Sequence, residues 1–281
     1  ELGALSVTLL DAAEDPVLEP APGATPLWPT IVVRAVFAAD ADANAIRAAL
    51  SSAPGLDPQL VASNARFEPV ADRAWEREWL KDFRPMRFGR RLWVCPGGQR
   101  PPQHELDASA AGPAVLLELD PGLAFGTGTH ATTAQCLEWL DFAAQDGDWL
   151  NDAKVIDYGC GSGILAIAAL LLGARAATGM DIDPQALLAS RQNAERNGVL
   201  DRLQVTDDPE VGRARADVVL ANILAGPLVE LAPLLAERTR PGGRLALSGL
   251  LVEQADAVTA AYRPWFDIGL TGARDGWGLL T

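Results

Sequence analysis

The residues with the clearest chemistry surround a glycine-rich turn at residues 155–163, with the sequence VIDYGCGSG. Glycines stand at positions 159, 161 and 163, between a short β-branched run and an apolar helix pattern that begins at Ile164. The order strand, glycine turn, helix is the first unit of a doubly wound α/β sheet, where ligands bind beyond the carboxyl ends of the strands. Glycine lets the backbone approach a ligand closely, and the helix start supplies free N–H groups. The turn therefore predicts a small-molecule site that includes Gly159 and Gly161.

The spacing of the glycines indicates a nucleoside rather than a dinucleotide or a nucleoside triphosphate. A dinucleotide fingerprint, G-x-G-x-x-G, requires glycine where Ile164 stands, and a P-loop requires a lysine that is absent from this turn. Asp181 follows about twenty residues later, at the end of the next predicted strand, where a carboxylate can hold the two hydroxyls of a ribose. The pattern predicts S-adenosylmethionine as the cofactor, bound by Gly159, Gly161 and Asp181. A tight turn without any ligand is the alternative.

Two more polar positions lie close to this turn in the predicted sheet. Asn222 ends an apolar strand at 218–221, so it stands on the same edge of the sheet as the glycine turn; a helix cap is the alternative. Thr132 and Thr133 occupy the first turn of a helix that is predicted to run to about Phe142. These threonines could satisfy free N–H groups. The preceding glycine-rich loop at 120–128 could instead close over the cofactor, and spacing alone does not choose between the two.

Composition limits the class of partner and the compartment. The chain has 281 residues, 49% of them hydrophobic, and a formal net charge of −14. This charge disfavours a nucleic-acid surface and suits a basic polypeptide partner, although it also serves solubility alone. The three cysteines (Cys95, Cys136 and Cys160) and two histidines (His104 and His130) lack metal-ligand spacing, which predicts no metal site. Free thiols and the absence of a long apolar run indicate a cytoplasmic protein without a membrane partner.

The order of predicted elements indicates three segments. Residues 1–71 contain short strands at 6–10, 31–37 and 67–70 and a helix capped by Asp42, and they predict a small α+β domain. Residues 72–84 predict a helix with Trp75, Trp79 and Phe83 on one face, either packed on the next domain or acting as a hinge. Residues 85–281 predict a third segment, the α/β domain.

Within 85–281, alternating strand and helix patterns predict a doubly wound sheet. The predicted strands are 87–95, 115–119, 155–156, 177–181, 203–206, 216–221, 244–249, 265–270 and 277–281. The predicted helices are 163–172, 184–197 and 227–238 and one that ends at 262, with a Pro-Gly-Gly turn at 241–243. Proline at helix starts and glycine after helix ends are the usual punctuation.

Four of these motifs resemble a known family. They are 120–133 (DPGLAFGTGTHATT), 155–163 (VIDYGCGSG), 179–184 (GMDIDP) and 221–227 (ANILAGP). In this order they are similar to the bacterial methyltransferases that modify the eleventh protein of the large ribosomal subunit. Residues 75–89 (WEREWLKDFRPMRFG) also resemble the linker of that family. The resemblance covers nearly the whole chain.

The resemblance implies a ferredoxin-like substrate-recognition domain at 1–71, a linker helix at 72–84 and a class I methyltransferase domain with a seven-stranded sheet at 85–281. It implies S-adenosylmethionine-dependent methylation of lysine side chains and the α-amine of a ribosomal protein. The family's cofactor contacts correspond to Thr133, Gly159, Asp181 and Asn222. The family also has a strand and a helix before the segment that matches residues 1–10. A monomer that does not bind nucleic acid directly is favoured.

The residue after Asn222 bears on the acceptor. Methyltransferases that act on planar amide or ring nitrogens commonly have Asn/Asp-Pro-Pro-Tyr/Phe, whereas this chain has Ile223, Leu224 and Ala225 after Asn222. We therefore expect an amine acceptor that is aligned by Asn222, without a dedicated base. The alternatives are a methyltransferase for RNA or a small amine, and a ribosome-assembly factor that binds the cofactor without catalysis. A nicotinamide-dependent oxidoreductase is disfavoured by Ile164.

Overall fold

The computed structural model describes residues 2–13, 27–70, 84–107, 112–120, 128–145, 149–208 and 214–281. The chain divides into two compact units, Glu1–Ala74 and Trp75–Thr281. The predicted linker helix at 72–84, with its three aromatic residues, lies outside the described residues except for Arg84. The division into segments 1–71, 72–84 and 85–281 therefore stays a prediction.

The first unit pairs strands β1 (Ser6–Asp11) and β2 (Ile31–Val36) in an antiparallel sheet, followed by helices α1 (Ala43–Ser51) and α2 (Pro58–Asn64). Asp42 caps α1 as predicted, because its carboxylate accepts a 2.8 Å hydrogen bond from the Asn44 backbone N–H. The predicted strand at 67–70 is wrong, since these residues are not extended into a sheet. The Phe67 ring instead lies 5.2 Å from the Arg47 guanidinium.

The second unit begins with a three-stranded sheet of β3 (Met86–Phe88), β4 (Leu92–Pro96) and β5 (Val115–Leu119), with the short helix α3 (Gln103–Asp107) before β5. β3 is antiparallel to β4, and β4 is parallel to β5. The single strand predicted at 87–95 is thus two strands. Gly89 makes the turn between them with a positive φ, where a Cβ atom would collide with the Asp141 carboxylate.

A seven-stranded mixed sheet within the described residues confirms the predicted α/β fold. Its strands are β6 (Lys154–Tyr158), β7 (Ala176–Met180), β8 (Leu203–Thr206), β9 (Ala216–Asn222), β10 (Thr239–Leu251), β11 (Leu270–Arg274) and β12 (Trp277–Leu280). Their order is β11-β12-β10-β9-β6-β7-β8, and β12 is antiparallel to both of its neighbours. The chain runs outward from β6 to β8 and then returns to β9 on the other side of β6. This reversal is a topological switch point, which opens a crevice at the carboxyl ends of β6 and β9.

Helices cover both faces of this sheet. They are α4 (Ala131–Gln145), α5 (Ile164–Leu171), α6 (Pro184–Arg196), α7 (Ala225–Glu230), α8 (Ala232–Arg238) and α9 (Ala255–Tyr262). Side chains of β6 alternate between the two faces: Val155 packs in the core with α4 and α5, and Ile156 packs in the core with α7, α8 and α9. No described helix is both long enough and apolar enough to span a membrane.

Several elements of the second unit differ from the predicted ones. The predicted helix at 227–238 is two helices, α7 and α8, and the predicted strand at 265–270 is wrong. The backbone N–H groups of Trp265 and Phe266 both donate to the Tyr262 carbonyl, so the chain turns after α9 instead of extending. β11 therefore starts only at Leu270, and it pairs with β12 as a hairpin.

Candidate functional site

The glycine turn after β6 depends on left-handed backbone at three positions. Gly159, Gly161 and Gly163 have φ values of 78°, 53° and 79°, a region that residues with a side chain rarely adopt. The N–H groups of Gly159 and Cys160 donate to the Met180 carbonyl at the end of β7, at 2.8 and 3.0 Å. Gly163 is the N-cap of α5 and offers no side-chain cap. The turn therefore presents backbone at the carboxyl ends of two neighbouring strands.

The turn also touches the chain that leaves β9. A Cβ atom on Gly159 would collide with the side chain of Ile223, the residue after Asn222. Ile223 is in turn fixed by its backbone N–H, which donates to the Ser248 carbonyl of β10 at 3.1 Å. The absence of a side chain at Gly159 thus lets the turn and the end of β9 lie in contact.

Asp181 follows β7 and is held by two backbone groups. Its Oδ2 accepts from Gly161 N–H at 2.9 Å, and its Oδ1 accepts from Asp183 N–H at 3.0 Å. An ionised carboxylate has about four acceptor positions, so two of them are left for further donors such as a pair of hydroxyls. The carboxylate is half-buried and is fixed to the glycine turn.

Asn222 and Thr133 are hydrogen-bonded to each other. Asn222 ends β9, and its Nδ2 donates to Thr133 Oγ1 at 3.2 Å. Thr133 is only 1% exposed, in the first turn of α4. Its neighbour Thr132 instead pairs its hydroxyl with His130 Nδ1 at 2.8 Å. The bond to Thr133 orients the Asn222 amide and leaves Oδ1 as an acceptor.

The structure thus brings the predicted site residues together at one edge of the sheet. They are Thr133, Gly159, Gly161, Asp181 and Asn222. Gly161 is bonded to Asp181, Asn222 is bonded to Thr133, and Gly159 packs against Ile223, which follows Asn222. Residues 121–127 of the preceding glycine-rich loop lie outside the described residues, so the prediction that the loop closes over the site stays untested.

The family described as ribosomal protein L11 methyltransferase (PrmA) matches residues 1–281. The chain belongs to this family. Close relatives in the L11 methyltransferase family include the protein of Hahella chejuensis, which is 52% identical over 280 residues, covering 100% of this chain and 90% of the relative. The protein of Haemophilus influenzae strain PittEE is 50% identical over 282 residues, with 100% and 90% covered.

A solved structure is also similar to this member of the L11 methyltransferase family. It is the ribosomal protein L11 methylase of Lactobacillus delbrueckii subsp. bulgaricus, which is 26% identical with a TM-score of 0.57. The match covers 71% of this chain and 98% of that chain. The resemblance read from the sequence motifs is therefore confirmed.

Asp157, two residues before Gly159, is a buried acid to which the sequence alone assigns no role. It is 1% exposed on β6, and its Oδ2 accepts from the Ala166 N–H in the first turn of α5 at 3.1 Å. Its Oδ1 has no hydrogen-bond partner among the described residues. Burial raises the pKa of Asp157 to about 7. The available signal was an acidic residue inside an otherwise apolar strand.

The cysteines beside Asp157 are not nucleophiles in this L11 methyltransferase family member. Burial, with a smaller contribution from the nearby Asp157 carboxylate, raises the pKa of Cys136 and of Cys160 to about 12. A thiol with such a pKa stays protonated at neutral pH, whereas the reactive species is the thiolate. The site offers no covalent route through sulfur.

The C-terminal hairpin reaches the same region. The Trp277 ring meets the His130 ring edge-on, with centroids 4.9 Å apart, and the Trp277 carbonyl accepts from Gln135 Nε2 at 3.3 Å. Both partners of Trp277 are near the start of α4, far from it in sequence. The sequence therefore predicts Trp277 in a late strand but not its contacts with His130 and Gln135.

Proposed function

We propose that this chain transfers methyl groups from S-adenosylmethionine to amino groups of ribosomal protein L11, on lysine side chains and on the α-amine. The observation that carries the proposal is the Asn222–Thr133 pair, which fixes an amide acceptor at the switch point of the sheet, beside the glycine turn. Membership of the L11 methyltransferase family over the whole chain supports the choice of substrate.

The cofactor is proposed to bind Thr133, Gly159, Gly161, Asp181 and Asn222. Asp181 keeps acceptor capacity for the ribose hydroxyls, and the positive-φ glycines offer bare backbone to the rest of the nucleoside. When bound, S-adenosylmethionine supplies an electrophilic methyl group on a positively charged sulfur. The residues present therefore fit this cofactor.

The acceptor amine has to lose a proton before it attacks. A lysine with a reference pKa of ~10.4 costs about 4.6 kcal/mol to deprotonate at pH 7, whereas an α-amine near 7.8 costs roughly 1 kcal/mol. Burial beside a cation lowers the pKa of an amine, through desolvation and like charge. Asn222 Oδ1 accepts an N–H of the neutral amine and aligns its lone pair, so Asn222 is the catalytic residue in this proposal.

The substrate is proposed to be recognised by residues 1–71, joined through 72–84 to a methyltransferase domain at 85–281. The formal charge of −14 favours a basic polypeptide and opposes direct binding of nucleic acid. We place the protein in the cytoplasm, and its three free, buried cysteines are in keeping with a reducing compartment.

The deciding experiment incubates the protein with methyl-labelled S-adenosylmethionine, ribosomal protein L11 and, separately, ribosomal RNA. We expect label on L11, and mass mapping should assign it to lysine side chains and the α-amine. Label on RNA or on a small amine would give the enzyme another substrate. No transfer despite tight cofactor binding would make it a binding protein.

Replacing Asp181 with Ala tests the cofactor assignment separately. Removal of the carboxylate should weaken S-adenosylmethionine binding at least about 100-fold by titration calorimetry, in line with the loss of charge-assisted hydrogen bonds worth roughly 1.5–3 kcal/mol each. Asp183→Ala is the matched control, because its side chain caps α6 at Gln185 N–H instead of fixing the glycine turn. Retained affinity in the Asp181 variant would remove Asp181 from the ribose site.

A further inference from the structure

Helix α6 has three polar side chains along one edge, each bonded to backbone of another segment. They are Ser190, Asn193 and the C-cap residue Asn197, which the helical spacing places on one face. Ser190 is fully buried, and Asn193 is 1% exposed. Buried polar groups need partners, and Ser190 and Asn193 find theirs outside α6. The half-buried Asn197 bonds Glu118 and also the Asn193 carbonyl of α6.

Two of these side chains hold the glycine turn. Ser190 Oγ donates to the Gly161 carbonyl at 2.9 Å, and Asn193 Nδ2 donates to the Ser162 carbonyl at 3.0 Å. A Cβ atom on Gly163 would come within 2.9 Å of Ser190 Oγ, so the turn lies directly against the helix. The carbonyls of two successive turn residues are thereby fixed to α6.

The same edge of α6 holds the end of β5. Asn193 Oδ1 accepts from Asp120 N–H at 3.0 Å. Asn197 Oδ1 accepts from Glu118 N–H at 2.9 Å, and its Nδ2 donates to the Glu118 carbonyl at 2.7 Å. Arg196 adds a 3.0 Å ion pair with the Asp120 carboxylate. Residues 118–120 are thus anchored to the helix that anchors the glycine turn.

We propose that Asn193 is a positioning residue for cofactor binding, because its one amide group joins the glycine turn to the chain segment that leads from β5 toward Thr133. The Asn193 side chain bonds both the Ser162 carbonyl and the Asp120 N–H. A displacement of residues 118–120 therefore moves the Ser162 carbonyl. Next to Ser162 is Gly161, whose N–H holds Asp181. This inference rests on the proposed function.

The surrounding bonds supply a matched set of variants. Ser190→Ala removes a bond to the turn alone, Arg196→Ala removes a contact with residues 118–120 alone, and Asn193→Ala removes both connections. The readouts are the calorimetric Kd of S-adenosylmethionine, the Tm, and amide hydrogen exchange at 159–163 in the cofactor-free protein.

We expect Asn193→Ala to weaken cofactor binding about 10-fold and to speed exchange of the turn amides. Arg196→Ala should weaken binding about threefold in the wild-type and Ser190→Ala backgrounds, and should have no effect in the Asn193→Ala background. Equal effects of Arg196→Ala in all three backgrounds would overturn the inference. So would an Asn193→Ala variant that lowers Tm without changing Kd.

A substitute variant and the cofactor binding of the wild-type protein complete the test. If Asn193→Ala does not fold, Asn193→Asp replaces it, since a carboxylate still accepts from Asp120 N–H but cannot donate to Ser162. If the wild-type protein binds no S-adenosylmethionine, the proposed function fails. If the wild-type protein binds S-adenosylmethionine and the Asn193 variants bind it with the same Kd, this inference fails and the proposed function stands.

Discussion

Asn222 is oriented on one side only, since Thr133 accepts from its Nδ2 and its Oδ1 stays available. We expect Asn222→Ala to lower kcat at least about 100-fold, the range typical of a lost orienting group. The Kd of S-adenosylmethionine should rise less than about tenfold. Steady-state kinetics on L11 with calorimetry on the same preparation checks this, and equal turnover in the variant would refute the orienting role.

Variants of the two adjacent threonines distinguish the orientation of Asn222 by Thr133 from a helix-capping role. Thr133→Val removes the acceptor of the Asn222 amide and should lower kcat about 10-fold, because the amide becomes free to rotate. Thr132→Val is the matched control, since its hydroxyl pairs with His130 instead. A larger loss of kcat in the Thr132 variant than in the Thr133 variant would contradict this assignment.

The raised pKa of Asp157 predicts that the stability of the protein depends on pH. Its folded-state pKa of about 7 lies above the ordinary Asp value near 3.9, so the folded protein binds more protons than the unfolded chain between these pH values. The free energy of unfolding therefore falls as pH rises from about 4 to about 7, and this contribution is constant above pH 7.

Asp157→Asn removes that titration. As pH rises from 5 to 8, the free energy of unfolding of the variant minus that of the wild type should increase by roughly 1–3 kcal/mol, at about 1.4 kcal/mol for each unit of pKa. Urea denaturation at several pH values measures the difference. A difference that does not change with pH would contradict a neutral, buried Asp157.

Among the elements, β10 sets the position of the chain after Asn222. Gly249 has a φ of 87°, and a Cβ atom there would lie 2.7 Å from the Ile223 carbonyl carbon and 2.9 Å from its nitrogen. We expect Gly249→Ala to lower the free energy of unfolding by more than about 3 kcal/mol, since backbone strain of 1–2 kcal/mol adds to a steric overlap. Activity should fall with it, because Ile223 moves.

Gly242→Ala is the control for this prediction. Gly242 has a similar φ of 74°, but a Cβ atom there would meet nothing within 4 Å. It should cost only the backbone strain of about 1–2 kcal/mol and leave kcat unchanged. Denaturant midpoints of the two variants make the comparison, and equal losses would show that the contact with Ile223 does not matter.

Elements whose signals are local in sequence were predicted well. Asp183 and Pro184 start α6, and the Asp183 carboxylate accepts from Gln185 N–H at 2.8 Å, as a cap at that position should. The Pro-Gly-Gly run at 241–243, predicted as a turn, falls within the bounds of β10, but residues 240–243 have no partner in β9 and Gly242 has a φ of 74°. The run therefore forms an irregularity between two paired parts of β10, in keeping with its local turn preference.

The residues of the site also differ in whether their signals are local in sequence. Gly159, Gly161 and Asp181 follow a fixed spacing along the chain, so the sequence alone indicates them. Asn193 in the middle of a helix has no local signal, because an exposed asparagine would look the same, and its partners come from two distant segments. Their contribution becomes visible only when the fold brings those segments to α6.

For the whole molecule, the formal charge of −14 predicts that a basic substrate is attracted electrostatically. Added salt screens attraction beyond about 8–10 Å, so we expect the KM for L11 to rise several-fold from low to roughly 0.5 M salt. The calorimetric Kd of S-adenosylmethionine over the same salt series is the internal control and should change little. A KM for L11 that is independent of salt would leave the acidity as a solubility feature.

The hydrogen bond from Ile223 N–H to the Ser248 carbonyl has a consequence for redesign. Proline has no N–H, so converting the chain after Asn222 to the Asn-Pro-Pro-aromatic form typical of planar-nitrogen methyltransferases would delete this link to β10. Grafting those few residues would therefore loosen the central strands before it changed the acceptor. An engineered change of acceptor in this scaffold has to rebuild β10 around Ser248 and Gly249 together with the motif.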